Sequence, residues 1–288
     1  MKDYSDAIVV KMTGGIGNQL FGLAAGLNQA KRLDCRLVLD ARAFGTTEIR
    51  TFELGEIGYE VLQPVKGPEK ASSKFRLLAK PKSLANLQVF KESSFDFDAS
   101  INQVRPGTLL TGYFQSFKYF TESEEDLLNI LAVPVANDAN ANSPSRGLSE
   151  ITMHVRRGDY MDERTMRFHG LATNSYFNRS LRFLGSTLDT ARVNIYSESP
   201  EQIKLREYQT KFDMSLVDDS SFSAIETLNF MSRAEGFIMS NSSFSWWGAW
   251  LMSVRGGTGP VIAPRPWFAS GLSAHDLLKP DWITLDAR

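Results

Sequence analysis

One cysteine (Cys35), three histidines and a formal charge of -1, from 32 Lys+Arg against 33 Asp+Glu, are what this chain of 288 residues has little of. A lone cysteine forms no internal disulfide, which excludes a disulfide-stapled secreted scaffold; its amphipathic neighbours suggest an inert core thiol in a reducing compartment. Near-neutral charge excludes a global pull onto nucleic acid or an anionic membrane, so any anion site has to be local. No run nears the ~18 apolar residues of a membrane span, and the opening MKDYSDAIVVKM does not read as a leader. A soluble, cytoplasmic protein is expected. His154, His169 and His275 are scattered without ligand spacing, and Cys35 has no activating company. No metal, cofactor or covalent catalysis is expected. What is present, 42% hydrophobic and 23% charged residues, is a folded globular composition whose length suggests two domains of roughly 100–200 residues each.

The first unit reads as a strand at Ala7–Met12, a glycine turn at Gly14–Gly17, a helix from Asn18 to Arg32 and a strand at Arg36–Asp40, a βαβ arrangement. Leu20, Ala24, Leu27 and Lys31 share one helical stripe. From Ala41 to Asn102 the pattern loosens and reads as loop or irregular helix. Within it Lys66–Lys82 carries six basic residues against one Glu, mostly a solvated loop by type, with contact to an anionic membrane or lipid-linked acceptor as its other reading. A strand at Thr108–Thr111, an aromatic stretch Gly112–Phe120 and a helix at Ser123–Leu131 follow. Pro134–Glu150 has the composition of a surface connection. The expected domains are therefore 1–133, a linker over 134–150, and 151–288.

Beyond the linker, strands and helices alternate: strands at Ile151–Val155, Val193–Tyr196, Met214–Val217, Gly236–Met239 and Pro260–Ala263, helices at Ser175–Leu188, Pro200–Lys211, Ser223–Ala234 and Phe244–Val254. Such spacing implies right-handed crossovers and a parallel sheet, whose ligands sit beyond the carboxyl ends of the strands. The unusual residues fall there. Arg156-Arg157-Gly158-Asp159-Tyr160 offers guanidinium forks suited to a diphosphate; one of the two arginines suffices, and Arg157 reads equally well as a brace paired with Asp159. Ser197-Glu198 ends the next strand. Ser240-Asn241-Ser242-Ser243 precedes the helix opened by Phe244 and can cap it, bind phosphate, or do both. Trp246, Trp247 and Trp250 read as core, and His154, alternating with buried positions, reads first as a satisfied structural histidine.

Gly15-x-Gly17 after a strand imitates a dinucleotide fingerprint, but Leu20 occupies the third glycine position, which sets a nicotinamide enzyme aside. The turn can instead bring its amides and Asn18 toward a ligand held by the second domain. Asp96-Phe97-Asp98 looks like the metal-binding pair of many sugar-nucleotide transferases, yet it lies in the loosely patterned half and reads as coincidence.

Together these segments resemble the α-1,2-fucosyltransferases of glycosyltransferase family 11, bacterial and soluble in type. The resemblance rests on Gly14-Gly15-Ile16-Gly17-Asn18-Gln19-Leu20-Phe21, Gly112-Tyr113-Phe114-Gln115-Ser116, His154-Val155-Arg156-Arg157-Gly158-Asp159-Tyr160, His169-Gly170, and the block from Ser240 to Leu251. It implies an α/β GT-B fold of two Rossmann-like domains facing a cleft, with an acceptor-side first domain and a GDP-sugar-binding second. It implies GDP-L-fucose as donor, the 2-hydroxyl of a galactose-containing glycan as acceptor, inversion at the anomeric carbon and no metal. Arg156 would then hold the β-phosphate, and Asp159 would matter to turnover more through the loop than as a general base. The substrate-binding residues would be Gly15, Gly17, Asn18, His154, Arg157, Tyr160, Ser197, Glu198, Asn241, Ser242, Ser243 and Phe244. Ser197-Glu198-Ser199 stands where the family often shows Ser-Asp-Asp, and Glu226 supplies a second acidic position near the nucleotide. The alternatives are a fucosyltransferase of another linkage and a noncatalytic GDP-sugar-binding protein. A peripheral contact at the inner face of the membrane goes with the basic-stretch reading.

Overall fold

The computed structural model describes residues 3–45, 50–55, 57–63, 82–131, 150–158, 163–188 and 192–288. The chain divides into two units, Met1–Leu127 with His275–Leu277, and Leu128–Ala274 with Leu278–Arg288. The linker expected over 134–150 lies outside the described residues except for Glu150, as do all but the last residue of the basic stretch and, of the arginine loop, Asp159 and Tyr160.

The first unit holds β1 (Ala7–Lys11), α1 (Ile16–Arg32), β2 (Arg36–Asp40), β3 (Glu60–Leu62), α2 (Lys82–Ala85), β4 (Gln88–Lys91) and β5 (Thr108–Thr111), then α3 (Glu124–Leu131), which runs across the division. Its five strands lie in the order β3-β2-β1-β5-β4, every pair parallel. Ile8, Val9 and Val10 are wholly buried, as a central parallel strand covered on both faces requires. The α1 helix is buried on nearly every side, well beyond a single stripe, until its last two residues, Lys31 and Arg32, which are exposed; Lys31 pairs with Asp126 at 2.6 Å. A Cβ on Gly26 would collide with Val10 Cγ2 and come within 2.8 Å of Leu37 Cδ1, so this residue sets how closely α1 lies on β1 and β2. Cys35 is half-buried, outside the core, and burial raises its thiol pKa.

The second unit holds β6 (Glu150–His154), α4 (Glu163–His169), α5 (Asn174–Thr187), β7 (Arg192–Tyr196), β8 (Asp213–Leu216), α6 (Ala224–Met231), β9 (Gly236–Ile238), α7 (Ser243–Val254), β10 (Val261–Arg265) and β11 (Ile283–Asp286). Its sheet runs β11-β10-β9-β6-β7-β8, again with parallel neighbours. Ile151, Met153, Val193, Ile195, Ile238 and Ile262 from the strands meet Tyr176, Phe177, Leu181 and Leu184 of α5 in one core. Thr173 caps α5, its hydroxyl accepting from the Tyr176 N–H, and Ser223 with Glu226 forms a capping box on α6. The two Rossmann-like sheets that a GT-B chain calls for are both present.

Two expectations are corrected and one strand is added. The helix expected over Pro200–Lys211 is two 3-10 turns, Pro200–Gln202 and Leu205–Glu207; Ile203 and Tyr208 both pack on the core, and five residues apart they would stand about 140° apart around an α-helix, so one helical face could not bury both. The segment read as loop or irregular helix supplies β3 and β4, edge strands too short to show alternation. Strand β11 pairs with β10 from the chain's last residues.

Candidate active site

In each sheet the chain builds outward from one strand and then returns to that strand's other side. Such a switch point leaves a crevice at the carboxyl ends of two adjacent strands. In the second unit it lies between β6 and β9, in the first between β1 and β5.

At the β6–β9 junction His154 Nδ1 lies 3.0 Å from Ser240 Oγ, linking the ends of the two strands. The imidazole is fully enclosed beside Phe244, their ring centroids 5.6 Å apart. Burial, aided by the Arg156 charge, holds its pKa down at about 3, so His154 is a neutral, hydrogen-bonded part of the strand end.

The two arginines differ. Arg157 is buried: its Nη1 donates to the carbonyls of Arg156 at 2.9 Å and Ala172 at 3.2 Å, and its Nη2 to Asn174 Oδ1 at 3.0 Å. Its guanidinium also lies over Phe177, 5.7 Å from the ring centre, and burial lowers its pKa. It braces the loop through these partners; Asp159, the partner expected from sequence, lies outside the described residues. Arg156 keeps an 18% exposed side chain, its Nε 3.4 Å from Glu198 Oε1. Glu198 in turn accepts the Arg157 backbone N–H at 2.8 Å. Gly158 turns with φ +39°, and a Cβ there would approach Glu198 Oε1 to 2.9 Å. Ser197 is buried and accepts from the Ser199 N–H at 3.3 Å. Glu198 thus holds the arginine loop in shape from the next strand.

On the other flank Ser242 is the N-cap residue of α7, without a side-chain cap bond. The first intrahelical bond runs from Trp246 N to Ser242 O, 2.9 Å; the amides of Ser243 and Phe244 precede it, and amides of a first turn have no intrahelical partners. Ser243 and Phe244 are half-buried and Ser242 is buried. Asn241 is a staple: its Nδ2 donates to the carbonyls of His169 (2.8 Å), Gly170 (3.3 Å) and Trp267 (3.2 Å). The three tryptophans of α7 are wholly buried. Glu226 closes its capping box, accepting from Ser223 N and Oγ at 2.8 Å each.

In the first unit the glycine turn between β1 and α1 is held by a residue the sequence reading did not single out. Gln19, wholly buried, donates from Nε2 to Gly14 O (2.9 Å) and Thr51 O (2.8 Å), and its Oε1 accepts Glu53 N (2.9 Å). Gly15 is the N-cap of α1, and Gly17 is buried in its first turn. Asn18 Oδ1 accepts from Gln115 Nε2 at 2.7 Å, joining the turn to the loop after β5. Asp96 and Asp98 are occupied by local bonds: Asp96 Oδ1 accepts from His275 N at 2.9 Å, and Asp98 caps the 3-10 helix at Ala99–Gln103 and accepts from Ser93 Oγ. No cluster of three or more His, Cys, Asp or Glu that could hold a metal occurs among the described residues. Nor is any helix among them long and apolar enough to cross a membrane.

An arginine and a helix amino terminus that follow adjacent strands, at the switch point of a parallel sheet, are an arrangement suited to a phosphorylated ligand. The chain belongs to glycosyl transferase family 11, whose sequence model matches residues 96–286, and is a glycosyltransferase. It is 29% identical over 299 residues to the alpha-1,2-colitosyltransferase of Escherichia coli, covering 97% of this chain and 99% of that one. It is 25% identical over 250 residues to the galactoside 2-alpha-L-fucosyltransferase of Caenorhabditis elegans, covering 81% of this chain and 65% of that one. Among solved structures it is similar to the fucosyltransferase NodZ from Bradyrhizobium, at a TM-score of 0.47 and 14% identity over 87% of this chain and 94% of that one.

Proposed function

We propose that the protein transfers L-fucose from GDP-L-fucose to the 2-hydroxyl of a galactoside, with inversion and without a metal ion. The acceptor oxygen attacks the anomeric carbon as the bond from that carbon to the β-phosphate oxygen breaks. The electron pair leaves with GDP, and the hydroxyl proton passes to phosphate or solvent. The observation that carries this reading is that the half-buried Arg156 and the amino terminus of α7 follow neighbouring strands, β6 and β9, at the switch point of the sheet. Charge grows on the departing diphosphate as its bond to sugar breaks, and donors fixed in advance stabilise that charge without reorganising. Arg156 is the fork, the amides at Ser243 and Phe244 are the second set, and Arg157, Glu198 and Asn241 keep them in place. Asp159 and Tyr160 remain in the proposal through the family motif alone.

Arg156→Ala is expected to lose about 10² to 10³ in turnover, the usual cost of removing one such donor, with its melting temperature unchanged. Near wild-type transfer in an assay with labelled GDP-fucose and a panel of β-galactosides would reject the assignment. The relative named a colitosyltransferase makes the donor sugar a second reading. The same assay repeated with nucleotide-activated colitose separates the two, and product linkage by NMR separates the 2-hydroxyl from its neighbours. A protein that binds GDP yet neither transfers nor hydrolyses any donor would be a noncatalytic binder.

A further inference from the structure

The loop after β5 has a feature that the handling of a diphosphate does not use. Glu92, just beyond β4, turns its Oε2 onto two successive backbone N–H groups, Tyr113 at 2.7 Å and Phe114 at 3.0 Å. Only glycine at 112 permits this approach, because a Cβ there would sit 2.5 Å from Glu92 Cβ and 2.6 Å from its Oε2. Burial raises the Glu92 pKa against the pull of these bonds and of the Tyr119 hydroxyl. The clamped backbone takes φ +54° at Phe114, the left-handed region that a phenylalanine rarely adopts. Its result is a reversal of side chains. Phe114 goes wholly into the core, edge-on to Tyr119 at 5.3 Å between centroids. Tyr113 is turned outward, 40% exposed, with its ring stacked on Phe95 at 5.9 Å and 12° between planes.

Two residues further on, Gln115 makes its bond to Asn18, so the same loop is tied to the glycine turn at the first unit's switch point. A strained, clamped backbone that ends by displaying a large aromatic ring calls for a purpose at that ring. The Phe95 stack covers part of that ring and still leaves the residue 40% exposed.

We infer that Tyr113, backed by Phe95, is an aromatic platform for the acceptor sugar, stacking on the C–H face of a galactopyranose. An aromatic face is electron-rich. A galactose ring, with its axial 4-hydroxyl on one side, gathers several C–H bonds on the other, and these weakly polar hydrogens complement that face. A flat ring favours this occupant over a phosphate or a nucleotide tail, whose charge would need cations there. The identity of the sugar rests on the acceptor reading under the proposed function; the platform itself rests on the geometry of Glu92, Gly112, Tyr113 and Phe95.

Saturation-transfer NMR with lactose as the probe tests the platform without any turnover, using the full chain and its Tyr113→Ala and Tyr113→Phe variants. Tyr113 is 40% exposed and stacks on Phe95, which is itself only half-buried, so both variants are expected to fold. Transfer to galactose C–H protons is expected from the wild type and Tyr113→Phe and lost, at least fivefold, from Tyr113→Ala. In the fucosyl-transfer assay Tyr113→Ala should raise the acceptor KM about tenfold or more with the donor KM unchanged, and Tyr113→Phe should stay within about threefold. Equal saturation of lactose by Tyr113→Ala and wild type, or none by the wild type, overturns the platform. If the wild type saturates lactose through Tyr113 yet transfers no fucose, the donor reading fails and the platform stands.

Discussion

Arg156 and Arg157 are chemically identical neighbours in different surroundings, and burial separates the roles proposed for them. A buried guanidinium has to have its N–H groups satisfied, and Arg157 does this on two carbonyls, Asn174 and the Phe177 ring. Removing it leaves those carbonyls without donors, so Arg157→Ala should lower unfolding free energy by about 2–4 kcal/mol. Arg156→Ala, at a partly exposed side chain, should stay within about 0.5 kcal/mol. Paired urea titrations of the two variants check this, and equal losses would sink the division of labour. The sequence pointed to Arg156 as the ligand contact and left Arg157 open between brace and ligand contact, because a forked anion binder needs only one; it could not identify Asn174 as a partner, seventeen residues away on another element. His154 gives the residue-scale pH prediction. Its pKa falls from 6.5 unfolded to about 3 folded, so its contribution is fully present above pH 6.5. Below that, stability drops by up to about 1.4 kcal/mol per pH unit as the unfolded chain takes up the proton, until the folded imidazole titrates too. Glu92, with a raised pKa, acts in the opposite sense and is common to wild type and variant. Unfolding free energies of wild type and His154→Gln between pH 7 and 4 should therefore diverge in slope by close to one proton; parallel slopes would mean that the histidine is not held neutral.

At the scale of elements, the legible ones are those whose burial imposes a pattern. The β2 strand Arg36–Asp40 and the β5 strand Thr108–Thr111 have the bounds their apolar runs suggest, and α5 follows from an amphipathic stripe closed by a Thr cap. Of the edge strands only β8 stands out in the sequence; β3, β4 and β11 are short and carry little such pattern. The glycine turn was legible as a motif, but its support was not: Gln19 is an ordinary polar residue until the fold brings Thr51 and Glu53 beside it. The α1 helix shows the same limit, because the residue that sets its distance from the sheet is neither in the motif nor on the expected stripe. Gly26 lets α1 rest against Val10 and Leu37. Gly26→Ala gains about 1 kcal/mol of helix propensity but forces a methyl group into contact with both side chains, an overpacking that costs typically 1–3 kcal/mol. The packing cost wins where the neighbours are central strands that cannot retreat. Thermal unfolding of Gly26→Ala is expected to show a lower midpoint than wild type, and an unchanged or higher one would mean that the helix shifts freely on the sheet.

For the whole molecule the governing fact is a formal charge of -1, which gives a diphosphate no general attraction, so all of its stabilisation has to be local. Many transferases meet the leaving charge with a divalent ion held by acidic side chains, and the sequence offers Asp96-Phe97-Asp98 as the one pair of that form. Both carboxylates are already engaged: Asp96 with the His275 amide, Asp98 with Ser93 and the first turn of a short helix. They lie in the first unit, whereas the arginine and the α7 amino terminus belong to the second. A permanent guanidinium charge and fixed amides can do the ion's electrostatic work, since both are donors aimed before the bond breaks and neither has to be recruited from solution. Transfer from GDP-fucose should therefore proceed in 10 mM EDTA at a rate within about twofold of that with added Mg²⁺ or Mn²⁺, while Arg156→Ala should remain slow in both, because the described residues hold no cluster of His, Cys, Asp or Glu that could seat a metal in place of the lost fork. A tenfold or greater loss on chelation, restored by Mn²⁺, would place the leaving-group charge on a cation and displace Arg156 from the centre of the mechanism.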